Sequence, residues 1–139
     1  MSEQQNTDTI KAMYAAFARG DVQAILGQLT DDVEWRFDGP STIPFAGVRR
    51  GPAEVVGFFQ ALATTQENMV LTTHHFVAQG DHVATIGRYA ATVKATGRRF
   101  DEAVSHFFTF RDGKVAKFAD FGDTASIVDA YTQSAAAAR

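Results

Sequence analysis

The sequence predicts an α+β domain in which helices come first and a sheet follows. Two observations carry this. Ile10, Met13, Tyr14 and Phe17 recur at the i, i+3, i+4, i+7 spacing of one helical face. From Met69 onward, β-branched and aromatic runs are divided by the turn signals Gly80-Asp81, Thr96-Gly97 and Asp112-Gly113.

The first helix stops at Gly20, and Asp21 is placed to cap a second, short helix with almost no linker between them. Val33, Trp35 and Phe37 then alternate with Glu34, Arg36 and Asp38, the period of a strand with one apolar face. Gly39-Pro40 ends it. A loop containing Pro44 leads to Gly51-Pro52, where proline suits the first turn of a third helix bearing Val55, Val56, Phe58, Phe59 and Leu62. The later runs predict a four-stranded antiparallel meander. Asp123 is positioned to cap a last helix carrying Ile127, Val128 and Tyr131.

A length of 139 residues with 45% hydrophobic composition suits a single domain over 1–139, with its core over about 8–132 and a low-complexity end, 133–139, expected to fray. Twelve phenylalanines, one tryptophan and three tyrosines can fill a core, line a cavity or cover an oligomer face. A net charge of -3, with only the isolated pairs Arg49-Arg50 and Arg98-Arg99, argues against nucleic acid as a partner. The absence of cysteine rules out disulfides and thiolate chemistry. The polar start Ser2-Glu3-Gln4-Gln5-Asn6 and the lack of a membrane-length apolar run lead to the expectation of a cytoplasmic protein without a membrane partner. No internal repeat or interdomain linker is visible.

In the run from Phe100 to Phe110, Val104, His106, Phe108 and Phe110 share one face, while Ala103, Ser105, Phe107 and Thr109 share the other. Both faces are largely apolar. One is expected to meet helices and the other a second subunit, giving a homodimer through the sheet.

The helix-glycine-aspartate opening from Tyr14 to Trp35, together with Ser105-His106-Phe107-Phe108-Thr109-Phe110-Arg111-Asp112-Gly113-Lys114-Val115 as a penultimate hairpin, resembles the SnoaL-like and ketosteroid isomerase-like proteins of the nuclear transport factor 2-like superfamily. The resemblance runs from about Ile10 to Tyr131. It implies a cone, a curved antiparallel sheet roofed by N-terminal helices in the manner of a cystatin-like α+β roll, with a cavity between sheet and helices. Ketosteroid isomerases use a carboxylate to move a proton and a tyrosine with a protonated aspartic acid to hold the oxyanion. Their tyrosine would fall at Met13, their oxyanion acid at Ser105 and their base at Phe37, beside Asp38. These departures argue against authentic steroid isomerase activity.

The resemblance also places Asp120 where SnoaL-like cyclases and limonene epoxide hydrolase-like members carry an acid-base aspartate, with Phe118 on the same strand face. An apolar pocket would suit such a carboxyl to proton transfer. The alternative is a structural pairing with a cation or a backbone donor. The arginine and second aspartate of the epoxide hydrolases have no counterpart here. Asp38 is a second candidate catalytic carboxylate if a bulge turns it inward, and otherwise a turn residue before Gly-Pro.

Candidate ligand contacts are Tyr14, Trp35, Tyr89, Ser105, Phe107, Phe118 and His75, each with a packing or hydrogen-bonding alternative. Parity assigns His106 to the subunit face. His74 and His75, as strand neighbours, point to opposite faces, and neither HExxH spacing nor a cysteine set is present, so no metal site is expected. No glycine pattern suits a phosphate or dinucleotide, and no cofactor is expected. Two functions follow. One is a cofactor-independent isomerase, cyclase or hydrolase moving a proton on a small apolar or aromatic carbonyl compound; the other is a noncatalytic dimeric module binding a ligand or a protein.

Overall fold

A computed structural model describes residues 2–132. The elements are α1 (Glu3–Ala18), α2 (Val22–Leu26), β1 (Leu29–Phe37), β2 (Gly47–Arg50), α3 (Pro52–Thr65), β3 (Gln66–Gln79), β4 (His82–Val93), β5 (Arg99–Arg111), β6 (Lys114–Gly122) and α4 (Thr124–Thr132). The tail expected to fray, 133–139, lies outside the described residues.

Helix α1 starts earlier than its apolar stripe. Ser2 and Gln5 form a capping box: the Gln5 N–H donates to Ser2 Oγ at 3.0 Å, and the Ser2 N–H to Gln5 Oε1 at 2.9 Å. Gly20, at φ +73°, turns the chain out of α1, and Asp21 Oδ1 accepts from the Ala24 N–H at 3.1 Å to open α2. At the other end, Asp123 Oδ1 accepts from the Ser126 N–H at 3.2 Å and caps α4.

The strands form one curved six-stranded sheet in the order β2-β1-β6-β5-β4-β3. Residues β3 to β6 are the expected antiparallel meander, and β1 joins it by a parallel pairing with β6 that sets Trp35 beside Phe118 and Phe37 beside Asp120. Strand β2 was not anticipated in the loop after Pro44; it is a short edge, mostly exposed and without alternation, so no periodicity marks it. Gly87 lets β4 pass close to β3, because a Cβ there would lie 2.1 Å from the Thr72 carbonyl oxygen.

Helices α1 and α3 cover the concave face, with α2 between them and α4 closing the end over β4 and β5. Trp35 stacks on Phe118 at 4.0 Å between ring centroids, and Phe58 meets Trp35, Phe37, Phe45 and Phe59 edge-on or tilted. On the convex face Val77, Ile86, Phe107 and Phe121 are between 40% and 58% exposed. Register places Ile86 and Phe121 on either side of Ser105, and Phe107 beside Ala84 and Ala119, so these side chains form adjoining rows.

The β5–β6 hairpin contains the irregularity that decides which side chains face inward. Arg111 pairs with Lys114 and Phe110 with Val115, but after a one-residue bulge at Ala116, Thr109 pairs with Lys117. Without the extra residue Asp120 would sit across from Ser105. With it, Asp120 sits across from His106.

Candidate functional site

The space between sheet and helices is a cavity of about 80 Å³. Its wall is built largely of aromatic rings, including Tyr14 and Phe17 from α1, Trp35 and Phe37 from β1, Phe58 and Phe59 from α3, Tyr89 from β4, and Phe108 and Phe118 from the β5–β6 hairpin. Four titratable groups with ionisable or acid-base heads interrupt this wall beyond Tyr89: Tyr14, Glu102, His106 and Asp120.

Three of them are joined. His106 Nε2 lies 2.9 Å from Asp120 Oδ2, its Nδ1 lies 2.8 Å from Tyr14 Oη, and Tyr14 Oη lies 2.8 Å from Thr85 Oγ1. Thr85 Oγ1 also accepts from the His106 N–H at 3.3 Å. One direction satisfies every group: Thr85 donates to Tyr14, Tyr14 to His106 Nδ1, and His106 Nε2–H to the Asp120 carboxylate. Among the described residues the second Asp120 oxygen, Oδ1, has no hydrogen-bond partner. Burial, and after it the charge of Asp120, hold the Tyr14 phenol protonated well above its ordinary range, against the opposing hydrogen bond from Thr85.

Glu102 is the group that sequence reasoning passed over. It is 3% exposed. Its Oε1 accepts from the Asp123 N–H at 2.8 Å and occupies space that a Cβ at position 122 would enter, 2.3 Å away, so Gly122 makes room for it. Burial pushes its carboxyl up to about 7; the Asp123 N–H opposes this, while the charges of Asp120 and Asp123 add to it and Arg88 offsets a little. Beside it, Tyr89 donates to Gln66 Oε1, whose amide donates to Tyr131 Oη at 3.0 Å. Burial also raises the Tyr89 phenol. A glutamate within the Phe100, Val104, Phe108, Phe110 alternation was the available signal, since this even-numbered set is the bulkier one.

The structure brings together Tyr14, Trp35, Tyr89, Phe118 and Asp120. It does not bring in the others. Ser105 and Phe107 lie on the convex face, where Phe107 stacks on His82 at 5.0 Å, and His106 lies in the cavity rather than on the subunit face; the even-numbered side chains of β5 face inward from Phe100 to Phe110, the reverse of the expected parity. Asp38 is past the end of β1 in solvent, 3.7 Å from Arg36, because no bulge turns it inward. His75 is exposed on β3, where the ladder to β4 is irregular between Thr73 and His75. Among the described residues no group of three metal-ligating side chains comes together, and no helix is long and apolar enough to cross a membrane.

Comparison with known proteins adds to this geometry. The family model described as a SnoaL-like domain matches residues 10–118. An NTF2-like protein of Burkholderia xenovorans is 32% identical and superposes with a TM-score of 0.86, over 95% of this chain and 99% of that one. An NTF2-like protein of unknown function from Burkholderia pseudomallei is 30% identical, with the same TM-score and coverage. TerC, crystallised with polyporic acid, is 29% identical with a TM-score of 0.83, over 91% of this chain and 98% of that one.

Proposed function

The chain belongs to the SnoaL-like family, and from that premise we propose that it is a cofactor-independent enzyme that moves a proton on a small apolar or aromatic carbonyl compound. The carrying observation is the Asp120–His106–Tyr14–Thr85 string inside an aromatic wall. Asp120 is the acid-base group. It takes a proton from the carbon beside the carbonyl through Oδ1 and returns it to another position of the resulting enolate. His106 holds the carboxylate in place through Oδ2, and Tyr14 fixes the imidazole from its other nitrogen. The low polarity of the wall strengthens these interactions and keeps bulk water from competing. TerC was crystallised with polyporic acid, which supports a small organic molecule as the occupant of this fold.

A test uses acetophenone in heavy water, with deuterium entry at the methyl group followed by NMR. The wild-type protein should accelerate exchange and Asp120→Asn should lose at least about a hundredfold of that acceleration. Equal acceleration by the variant removes Asp120 from the mechanism.

The small size of the cavity favours a second reading, a noncatalytic module. Under it, no carbonyl probe exchanges with either protein. Both readings include a homodimer through the convex face, supported by the adjoining exposed rows of Val77, Ile86, Phe107 and Phe121. Phe121→Glu should then shift the mass in light scattering from dimer to monomer; a monomeric wild-type protein at micromolar concentration rejects the interface.

A further inference from the structure

The inner cavity, at about 80 Å³, has room for roughly five to eight waters and lies far below the roughly 300–1,000 Å³ of sites that enclose a whole drug-sized ligand. A larger hollow of about 350 Å³ opens beside it, bounded by Ala18 and Gly20 at the end of α1 and by Met69 and Val70 at the start of β3. Tyr14, Phe17 and Leu71 line both spaces, which therefore adjoin along α1.

The outer wall is built by an irregular piece of strand. The ladder between β3 and β4 breaks between Glu67 and Val70, and Asn68 adopts φ +52°, a region asparagine tolerates better than most residues. Arg99 Nη1 fixes this shape by donating to the Asn68 carbonyl at 3.0 Å and to Thr92 Oγ1 at 3.2 Å. The result lifts two apolar side chains to the rim, Met69 at 37% exposed and Val70 at 52%. An edge that only needed to be soluble would carry polar residues at these positions.

We infer that the ligand is elongated, with an oxygen-bearing, ring-sized head in the inner cavity and an apolar tail that leaves between the end of α1 and the β3 bulge, covered by Met69 and Val70. The inference rests on the proposed reading that the head meets Asp120. It adds the tail and its exit. The two spaces share Tyr14, Phe17 and Leu71 as a common boundary, and this adjacency is the ground for taking the tail of the same molecule, rather than an unrelated partner, as the occupant.

The test measures the affinity of phenol, 4-ethylphenol, 4-butylphenol and 4-hexylphenol by the fluorescence of Trp35, the single tryptophan. In the wild-type protein affinity should rise about fourfold for each methylene added beyond the inner cavity. Val70→Asp, and Met69→Asp as a second rim variant, should bind phenol within about twofold of wild type and lose the gain per methylene. Val48→Asp, an exposed apolar position away from the groove, should keep it. An unchanged gain in both rim variants overturns the inference. A flat wild-type series with phenol bound also overturns it, while leaving the inner cavity as a ligand site. Binding of 4-hexylphenol without phenol overturns it as well, since the groove would then take alkyl chains unaided. Failure of all four phenols removes both the tail and the reading on which it rests.

Discussion

Replacing Glu102 with glutamine tests whether the second carboxyl of the cavity is held against ionisation. Glutamine keeps the shape and the Oε1 that accepts from the Asp123 N–H, and removes only the charge. In the folded protein the carboxyl titrates near 7, against 4.5 for an unperturbed group. Between these values the folded chain holds a proton that the unfolded chain has lost. The stability contributed by protonated Glu102 is therefore complete below about 4.5 and drains away as pH rises through about 7. The full difference corresponds to about 3 kcal/mol; screening by water that enters the cavity brings the expectation to about 1–3 kcal/mol. Paired thermal melts of wild type and Glu102→Gln from pH 4 to pH 9 read it directly, because groups common to both proteins cancel in the difference. The variant should match wild type at the acid end, gain over it with rising pH, and level off above neutrality at an advantage of about 3–10 °C. A difference that stays flat with pH, or that changes in the opposite direction, refutes the account of Glu102 as an acid whose ionisation burial opposes.

Two further substitutions probe packing. Asn6 on α1 is 1% exposed, and neither polar atom of its amide has a protein partner among the described residues; Asn6→Leu should raise the urea midpoint at an unchanged slope, by about 1–2 kcal/mol, and a lower midpoint would show that the amide is satisfied. Gly87→Ala would set a Cβ 2.1 Å from the Thr72 carbonyl oxygen, backbone against side chain root, and should cost more than about 2 kcal/mol in a denaturant melt; a melt within error of wild type would mean that β3 can withdraw at no cost.

Much of the fold was legible because local chemistry and global arrangement agree. The apolar stripe of α1, the stop at Gly20, the caps at Asp21 and Asp123 and the turns at Gly80-Asp81 and Asp112-Gly113 each have one physical reading. Strand β2 was not legible, since an exposed edge of four residues has no apolar face to announce it. Asp120 on β6 lines the cavity, whereas the resemblance turned the wrong face of β5 inward. On β6 an unbroken ladder from the Asp112-Gly113 turn would set Asp120 opposite Ser105, and the bulge at Ala116 sets it opposite His106. A bulge is a single residue without a compositional mark here, and because the side-chain period of a strand is two, it exchanges the faces of everything beyond it. On β5 the bulkier even-numbered set, Phe100, Val104, Phe108 and Phe110, carried the signal for the inward face. Glu102 was passed over as one charge among others on a strand, and its meaning appears only with Gly122 and Asp120 beside it.

The parallel pairing of β1 with β6 bears on how the protein is made. During synthesis β1 leaves the ribosome early, while the strand it must lie against is the last to be translated. Until then Trp35 has no Phe118 to stack on, and Phe37 has no Asp120 beside it. The meander can grow hairpin by hairpin, but this contact joins distant parts of the chain and is slow to form. A nascent chain that stops before Lys114 would hold its helices over an unfinished floor, with Trp35 and Phe37 open to chaperones or to other nascent chains. The His106–Asp120 pair and the ring wall that surrounds it thus cannot be complete until β6 has been made.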